Sequence, residues 1–317
     1  MKKYYVFSVV LLSALLSFPS AGIAQQTLSC TDRECLIDLV DDYFDALVAH
    51  DPDLIPFSND IHFVENIHHM VLGEGIWQTA SAIPSSFKIY IPDPVSKEVG
   101  FMGMMGIDGK PELIALRLKV MNGKVSEVEH LITTRLRDSN LINLQAVRPG
   151  LLSSIPESER MGRAALVDIA QSYFEALDNN DGDLAPLADD CARRENGTLT
   201  SNSGIADHKV AESPNYHGMK CAKQFDSGMF AYIDTIDNIR VPIVDPQTGL
   251  AFSLAHFHHG MEEKIIPIYG VKGVKEREVN FKAFDLPTAH IFKISQDKIH
   301  EIEAMGFLAP PNSPTGW

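Results

Sequence analysis

The sequence predicts an α+β protein made of two tandem copies of one unit, each a helix followed by a curved antiparallel sheet. Three observations carry this prediction. First, Leu36 to Leu47 returns as Leu166 to Leu177, shifted by 130 residues. The shift persists through Asp51-Pro52-Asp53-Leu54 against Asp181-Gly182-Asp183-Leu184, and through Glu65-Asn66 against Glu195-Asn196. It then grows to 152 at Asp93-Pro94 against Asp245-Pro246 and to 174 at Lys124 to Glu129 against Lys298 to Glu303, so the second copy carries two insertions of 22 residues. Second, apolar residues at the start of each copy recur at spacings of three and four, the period of a helix with one buried face. Third, the remainder of each copy falls into strand-length runs separated by turn residues such as Asp108-Gly109 and Asn122-Gly123.

The chain opens with Lys2-Lys3, an apolar run from Tyr4 to Leu16, Pro19 and the small residues Ser20 to Ala24. Residues 1–24 read as a secretory signal cut after Ala24. A membrane anchor would need about 20 apolar residues, more than this run supplies. No cysteine stands at the cut to carry a lipid, so an exported protein, periplasmic or extracellular, is expected. Losing the two lysines of that segment takes the formal charge from −15 to −17. A phosphate backbone would be repelled, so nucleic acid is not expected as a partner, and neither is a membrane.

The first unit spans residues 25–136. Its helix is marked by Ile37, Val40, Phe44 and Leu47, and Asp53 is placed to cap a second short helix. Strands are predicted over Phe87–Tyr90, Val99–Ile107, Leu113–Val120 and Val125–Thr133. Residues 137–162, rich in Pro, Gly and Ser, read as a linker. The second unit, 163–308, repeats the helix with Val167, Ala170, Phe174 and Leu177, has Asp183 at the matching cap, and places strands at Ile239–Val244, Leu250–His258, Ala289–Ile294 and Ile299–Met305. The proline-rich tail, 309–317, is either pinned by Trp317 or frayed. Four cysteines in an exported chain favour disulfides Cys30–Cys35 and Cys191–Cys221 among three connectivities, with free thiols or a thiolate nucleophile as alternatives.

The Tyr-Phe helix, the Asp-x-Asp-Leu after it and the strand Lys124-Val125-Ser126-Glu127-Val128-Glu129 resemble the SnoaL-like branch of the nuclear-transport-factor-like superfamily. Phe63-Val64-Glu65-Asn66, Leu72 to Trp77, Arg194 to Gly197 and Cys221 to Phe230 resemble an uncharacterised family of exported SnoaL-like proteins. The resemblance implies tandem cystatin-like, cone-shaped barrels, each with an apolar pocket, packed as an intramolecular pseudo-dimer. It implies no single catalytic set, because members place different acids and bases in that pocket.

Candidate chemistry concentrates in a few places. Glu65, among Phe63, Ile67, Met70 and Trp77, would be a desolvated carboxylate suited to acid–base work, although its recurrence as Glu195 also suits a structural corner. His256 and His258 face one way on a strand, about 6.6 Å apart, with Met105 and Ile107 at the matched positions of the first copy. They can serve proton transfer or substrate binding, or line an inert interface. With a third ligand from His290, Glu301 or Glu303 they can hold a metal. Glu65, His256 and His258 are the expected proton-transfer groups. Asn66, His68, Trp77, Met105, Arg194, Glu195, Asn196 and His290 are expected to contact the substrate. Glu127/Glu129 and Glu301/Glu303 pair on the last strand of each copy, as surface charges or as the closure of a pocket. Arg193-Arg194 can orient an anion, with a salt bridge to Asp189 or Asp190 as the plainer reading. The second insertion, Met261 to Phe284, reads as a basic lid or as a hairpin covering the sheet.

The expected function is cofactor-free acid–base chemistry (isomerisation, elimination, cyclisation or hydrolysis) on a small apolar or aromatic molecule. A non-catalytic binding or assembly module is the alternative, and a histidine metalloenzyme using His256, His258 and Glu303 is the third. Self-association into a homo-oligomer is left open.

Overall fold

A computed structural model describes residues 1, 28, 30, 32–133, 136–202 and 216–317. The expected signal segment lies outside the described residues, except for Met1. In the first unit, helix α1 (Arg33–Ala49) is capped by the Asp32 carboxylate, which accepts from the Cys35 amide, and ends on His50 in the left-handed conformation. The chain then runs through β1 (Phe57–Glu65), β2 (His68–His69), α2 (Ile76–Thr79), β3 (Ala80–Ala82), β4 (Lys88–Asp93), β5 (Glu98–Ile107), β6 (Lys110–Met121) and β7 (Lys124–Thr133). The sheet order is β2-β1-β7-β6-β5-β3, with β4 also paired to β5.

Two short helices follow, α3 (Asp138–Asn143) and α4 (Pro149–Leu152). The second series is α5 (Arg163–Asp178), β8 (Leu187–Glu195), β9 (Thr198–Leu199), α6 (Cys221–Asp226), β10 (Thr235–Asp245), β11 (Leu250–His259), β12 (Ile265–Pro267), β13 (Glu276–Glu278), β14 (Phe284–Ser295) and β15 (Lys298–Gly306). Its main sheet runs β10-β11-β14-β15-β8-β9, and β12 and β13 form a separate hairpin.

The α+β class holds, but neither sheet is a plain antiparallel meander. β1 pairs parallel with β7, and β8 pairs parallel with β15. Each added strand carries little hydrophobic alternation because its middle is polar, as in Ser58-Asn59-Asp60 and Asp189-Asp190. The expected second short helix is a single 3-10 turn in each unit, Pro52–Leu54 and Gly182–Leu184. Its cap is not Asp53 or Asp183 but Asp51 and Asp181, each accepting from the amide two residues on.

Each helix lies against one face of its sheet. Leu36, Val40, Phe44 and Leu47 join Phe101, Ile114, Leu116 and Val128 in one buried cluster, and Leu166, Ala170, Phe174 and Leu177 join Phe257, Phe292 and Ile302 in another. A third cluster lies between the sheets, joining Ile89, Ile91, Met102 and Leu131 to Leu250, Phe252, Leu254 and Ile291. Burying side chains of this size stabilises by about 1.5–3 kcal/mol each, so this cluster holds the two sheets together. Two ion pairs flank it, Arg33 with Asp245 and Arg163 with Asp93. Each arginine and each aspartate maps onto its counterpart by the repeat's own shifts of 130 and 152.

Both favoured disulfides are formed, Cys30–Cys35 and Cys191–Cys221. The segment read as a linker is docked rather than loose. Asn140 donates to the Thr198 hydroxyl at 2.6 Å, Asn143 to the Gly197 carbonyl at 2.8 Å, and Arg148 reaches Glu301 and Glu303. The tail is pinned: Trp317 stacks on His62 at 4.1 Å, with Arg117 and Arg240 over its ring. The second insertion is the β12–β13 hairpin, and its Ile266, Ile268 and Val279 belong to the second unit's own core rather than facing the first unit.

Candidate functional site

Strand register decides which residues meet. β11 alternates Leu250, Leu254, His256 and His258 toward one face with Ala251, Ala255, Phe257 and His259 toward the other. Leu250 and Leu254 lie in the cluster between the sheets, whereas Phe257 and His259 line a cavity inside the second unit. β11 pairs with β14 as β5 pairs with β6, Leu250 opposite Lys293 and Glu98 opposite Lys119. The counterparts of His256 and His258 are therefore Met104 and Gly106, not Met105 and Ile107. The two expected catalytic histidines, on the face of Leu250 and Leu254, therefore point away from the cavity, and their neighbours Phe257 and His259 point into it.

The cavity, about 120 Å³, lies between α5 and the sheet. Its apolar walls are Leu177, Phe230, Ile233, Phe257, Leu286 and Met305, and its polar groups are Tyr173, Arg193, Glu195, Tyr232, His259, Thr288 and His290. Arg193 is 1% exposed. Its Nε lies 3.0 Å from Glu195 and 3.1 Å from the Thr200 hydroxyl, and Nη2 donates to Gln224 at 2.9 Å. The guanidinium stacks on Phe230 at 4.7 Å. Nη1 makes no hydrogen bond among the described residues, although the Tyr173 phenol interacts with the guanidinium as a whole.

Titration in this cavity is set first by burial. Desolvation and the Arg193 charge push His290 down to about 3. Desolvation takes His259 to about 4, against the pull of Asp234 and Asp285. Both imidazoles are thus neutral at physiological pH, and the Nδ1 of each has no hydrogen-bond partner among the described residues. Burial raises the Tyr173 and Tyr232 phenols, with Arg193 and Arg277 respectively as the leading opposing influences. The cavity therefore presents one fixed cation, two neutral imidazoles and two protonated phenols. Glu195, its side chain 48% exposed, is the one acid lining it among the described residues.

The first unit fills the corresponding space. Trp77 is 1% exposed and packs edge-on to Tyr43 at 5.5 Å, and Met105 is core. The Tyr43 hydroxyl contacts His130 Nε2 at 2.9 Å, and His130 Nδ1 lies 3.4 Å from Glu65. Glu65 also accepts from the Ile76 amide at 3.0 Å, so its carboxylate is tied to the turn that seats Trp77. Burial, the Glu65 charge and Trp77 leave the Tyr43 phenol well above its ordinary range, the last of these working downward.

Of the expected substrate contacts, the structure brings Glu195, Asn196 and His290 to one cavity. Asn66 and Asn196 bond both ways to Ile132 and Gly306, closing matching corners with positive φ. His68 is exposed beside the tail, and Trp77 and Met105 are packed in the first core, remote from any second-unit ligand. Arg194 points to the opposite face from Arg193, toward Asn143, Arg148 and Glu303. Asp189 pairs with Lys220 and Asp190 with His300, so neither meets Arg193 or Arg194. Glu303, buried and raised to about 7 by desolvation against the Arg148 and Arg194 charges, is bonded to Arg148 and is not the third member of the His256–His258 group. Glu127 and Glu129 are held by Arg117, Glu129 also by Arg240, and neither lines this cavity. Tyr173, Tyr232 and His259 were not among the expected contacts, and of the Arg193-Arg194 pair read as a possible anion site only Arg193 lines the cavity. Counting β11 by the 152-residue shift would have revealed His259, and the substitution of Arg193 for Phe63 was visible in the alignment of the repeats.

A family model described as "Domain of unknown function (DUF8021)" matches residues 159–306, the second of the two repeats. No curated protein matches the sequence. Among solved structures, an NTF2-like protein of unknown function from Cytophaga hutchinsonii is 12% identical, covering 31% of this chain and 89% of its own, with a TM-score of 0.26. A candidate polyketide cyclase from Silicibacter sp. is 14% identical, covering 45% of this chain and 90% of its own, at 0.27. Another from Xanthomonas campestris is 16% identical with the same coverages, at 0.30.

Proposed function

We propose that the chain is two SnoaL-like units joined as an intramolecular pseudo-dimer, and that the second unit binds and transforms a small molecule by cofactor-free acid–base chemistry. The reciprocal ion pairs Arg33–Asp245 and Arg163–Asp93 support the first part, because a two-fold interface repeats each contact with the partners exchanged. Export fits the two disulfides.

The observation that carries the reading is Arg193, a fully buried cation lining a cavity of mixed apolar and polar walls, with an Nη1 that lacks an aligned partner. Such a group recognises an anionic or enolisable oxygen on the ligand. A cavity near 120 Å³ matches about one ring, since a dry engineered cavity of about 150 Å³ takes benzene. The ligand is therefore a single-ring compound whose oxygen sits against Arg193 and Tyr173. These donors stabilise negative charge that develops on that oxygen. Glu195 at the mouth withdraws the proton, and the neutral His290 and His259 accept hydrogen bonds from ring hydroxyls.

A binding module without turnover is favoured by one observation. Imidazoles held near 3 and 4 are weak bases at neutral pH, where proton transfer works best with a matched pKa. Incubating the protein with single-ring ketones and phenols in deuterated water separates the two readings by NMR. Turnover predicts deuterium at the enolisable carbon, lost in Glu195→Gln while binding remains. Saturable binding with no exchange above the buffer rate would leave the binding module. Absence of binding to any compound with an oxygen acceptor would contradict both.

A further inference from the structure

The opposite face of β11 carries a second arrangement that the cavity does not use. His256 Nε2 lies 3.1 Å from Asp285 Oδ2, and His258 Nδ1 lies 3.2 Å from Asp285 Oδ1. The two imidazoles stack with centroids 4.7 Å apart. One ligand atom from each of the three residues falls within a 4.8 Å group. The backbone fixes this convergence: His256 and His258 are two apart on one strand, and Asp285 stands directly opposite His258 on β14. His256 and Asp285 are each 2% exposed, while the His258 side chain is 24% exposed and gives access from solvent.

From these residues we propose that His256, His258 and Asp285 form a binding site for a divalent transition metal, zinc by the chemistry of the donors. Two imidazoles and one carboxylate are the donor set of three-residue zinc sites, which leave a fourth position for water. Zinc–ligand bonds of about 2.0–2.1 Å put tetrahedral neighbours about 3.3 Å apart, close to both His–Asp separations. The supporting shell is also present. The other nitrogen of His258, Nε2, lies 3.2 Å from Asp237 Oδ2, so a second carboxylate orients the imidazole from behind, as in carboxylate–histidine–zinc triads. Asp285 in turn accepts from the Ser313 amide at 2.9 Å and exchanges both backbone bonds with Ala309. An ion here would fasten β10, β11, β14 and the C-terminal tail together. The first unit has Met104 and Gly106 at the histidine positions, so the site belongs to the second repeat alone.

The test is zinc titration by calorimetry on chelator-stripped, tag-free full-length protein near neutral pH. The proposal predicts one zinc per chain, no comparable binding of magnesium, and at least about 10-fold weaker binding in His258→Ala. Asp237→Asn, at an exposed position, should keep the fold and weaken zinc by about 10- to 100-fold through loss of the orienting carboxylate. His62 and His69, whose rings are 4.9 Å apart, provide an alternative surface site with His68, and His68→Ala with His69→Ala should leave the affinity unchanged. Absence of stoichiometric zinc, or its loss in the His68/His69 variant alone, would overturn the assignment. If His258→Ala fails to fold, unchanged affinity in folded Asp237→Asn would overturn it equally.

Discussion

The interiors of the two units share a scaffold and differ in what they enclose. By strand register, Phe63, Ile107, Ile114 and Leu116 of the first unit are replaced by Arg193, His259, Thr288 and His290 of the second, while His130 is replaced by Ala304. The first unit thereby closes around Trp77 and a Tyr43–His130–Glu65 chain, and the second opens a polar-floored cavity. The shared Glu-Asn corner is architecture, since Asn66 and Asn196 make the same pair of backbone bonds. The cavity's polar groups stand where the copies disagree and the side chain points inward.

The largest expected effect tests the closed interior. Trp77→Ala should cost about 3–5 kcal/mol by denaturant unfolding, because it empties a packed aromatic site, yet leave ligand affinity in the second unit within a factor of two. A parallel loss of affinity would mean that the first interior is part of the site. Next, replacing Cys191 and Cys221 together by serine should cost about 2–4 kcal/mol, since that disulfide spans 30 residues, and should weaken ligand binding because β8 carries Arg193. The same change at Cys30 and Cys35, five residues apart, should cost less and leave binding alone.

Acid should distinguish the interiors more finely. His290 and His259 fall from an ordinary 6.5 to about 3 and about 4, so between 6.5 and those values the unfolded chain binds protons that the folded chain refuses. Stability is therefore lost as pH falls through this window, with a slope of about 1.4 kcal/mol per pH unit for each group, and these groups add no slope above it. His290→Leu, which restores the residue type of the first unit, should flatten the profile between about pH 6 and 4. The smallest effect concerns the interface: Arg33→Ala and Arg163→Ala should each cost about 1–2 kcal/mol and match one another, since each removes the counter-charge of one buried aspartate that keeps its other donors. Clearly unequal losses would break the proposed two-fold relation.

The helices, most of the strands, the disulfide pairs and the repeat were legible because each leaves a local mark, such as a period, a turn pair or an even cysteine count. The parallel strands β1 and β8 were not, because polar residues interrupt their alternation and their partner lies some 60 or more residues onward in sequence. The site was legible in residue types but not in place. His256 and His258 do face one way, but the alternation along β11 does not say which of its two faces meets the cavity. Arg193 and Arg194 are neighbours on β8 and point to opposite sides, so the sequence pair does not say which of them enters the cavity. Tyr173 stands on the helix in the same place as Tyr43, and only the third dimension shows that one phenol faces a histidine and the other a cavity.

The most direct test of the central claim is a crystal structure of the protein soaked with a single-ring aromatic carboxylate, with affinity measured in parallel for wild type and Arg193→Gln. The account predicts density between α5 and the second sheet, the carboxylate against Arg193, and at least about a 10-fold loss of affinity in the variant, the effect of one charged hydrogen bond. Density in the first unit, or equal affinity for folded Arg193→Gln, would contradict it.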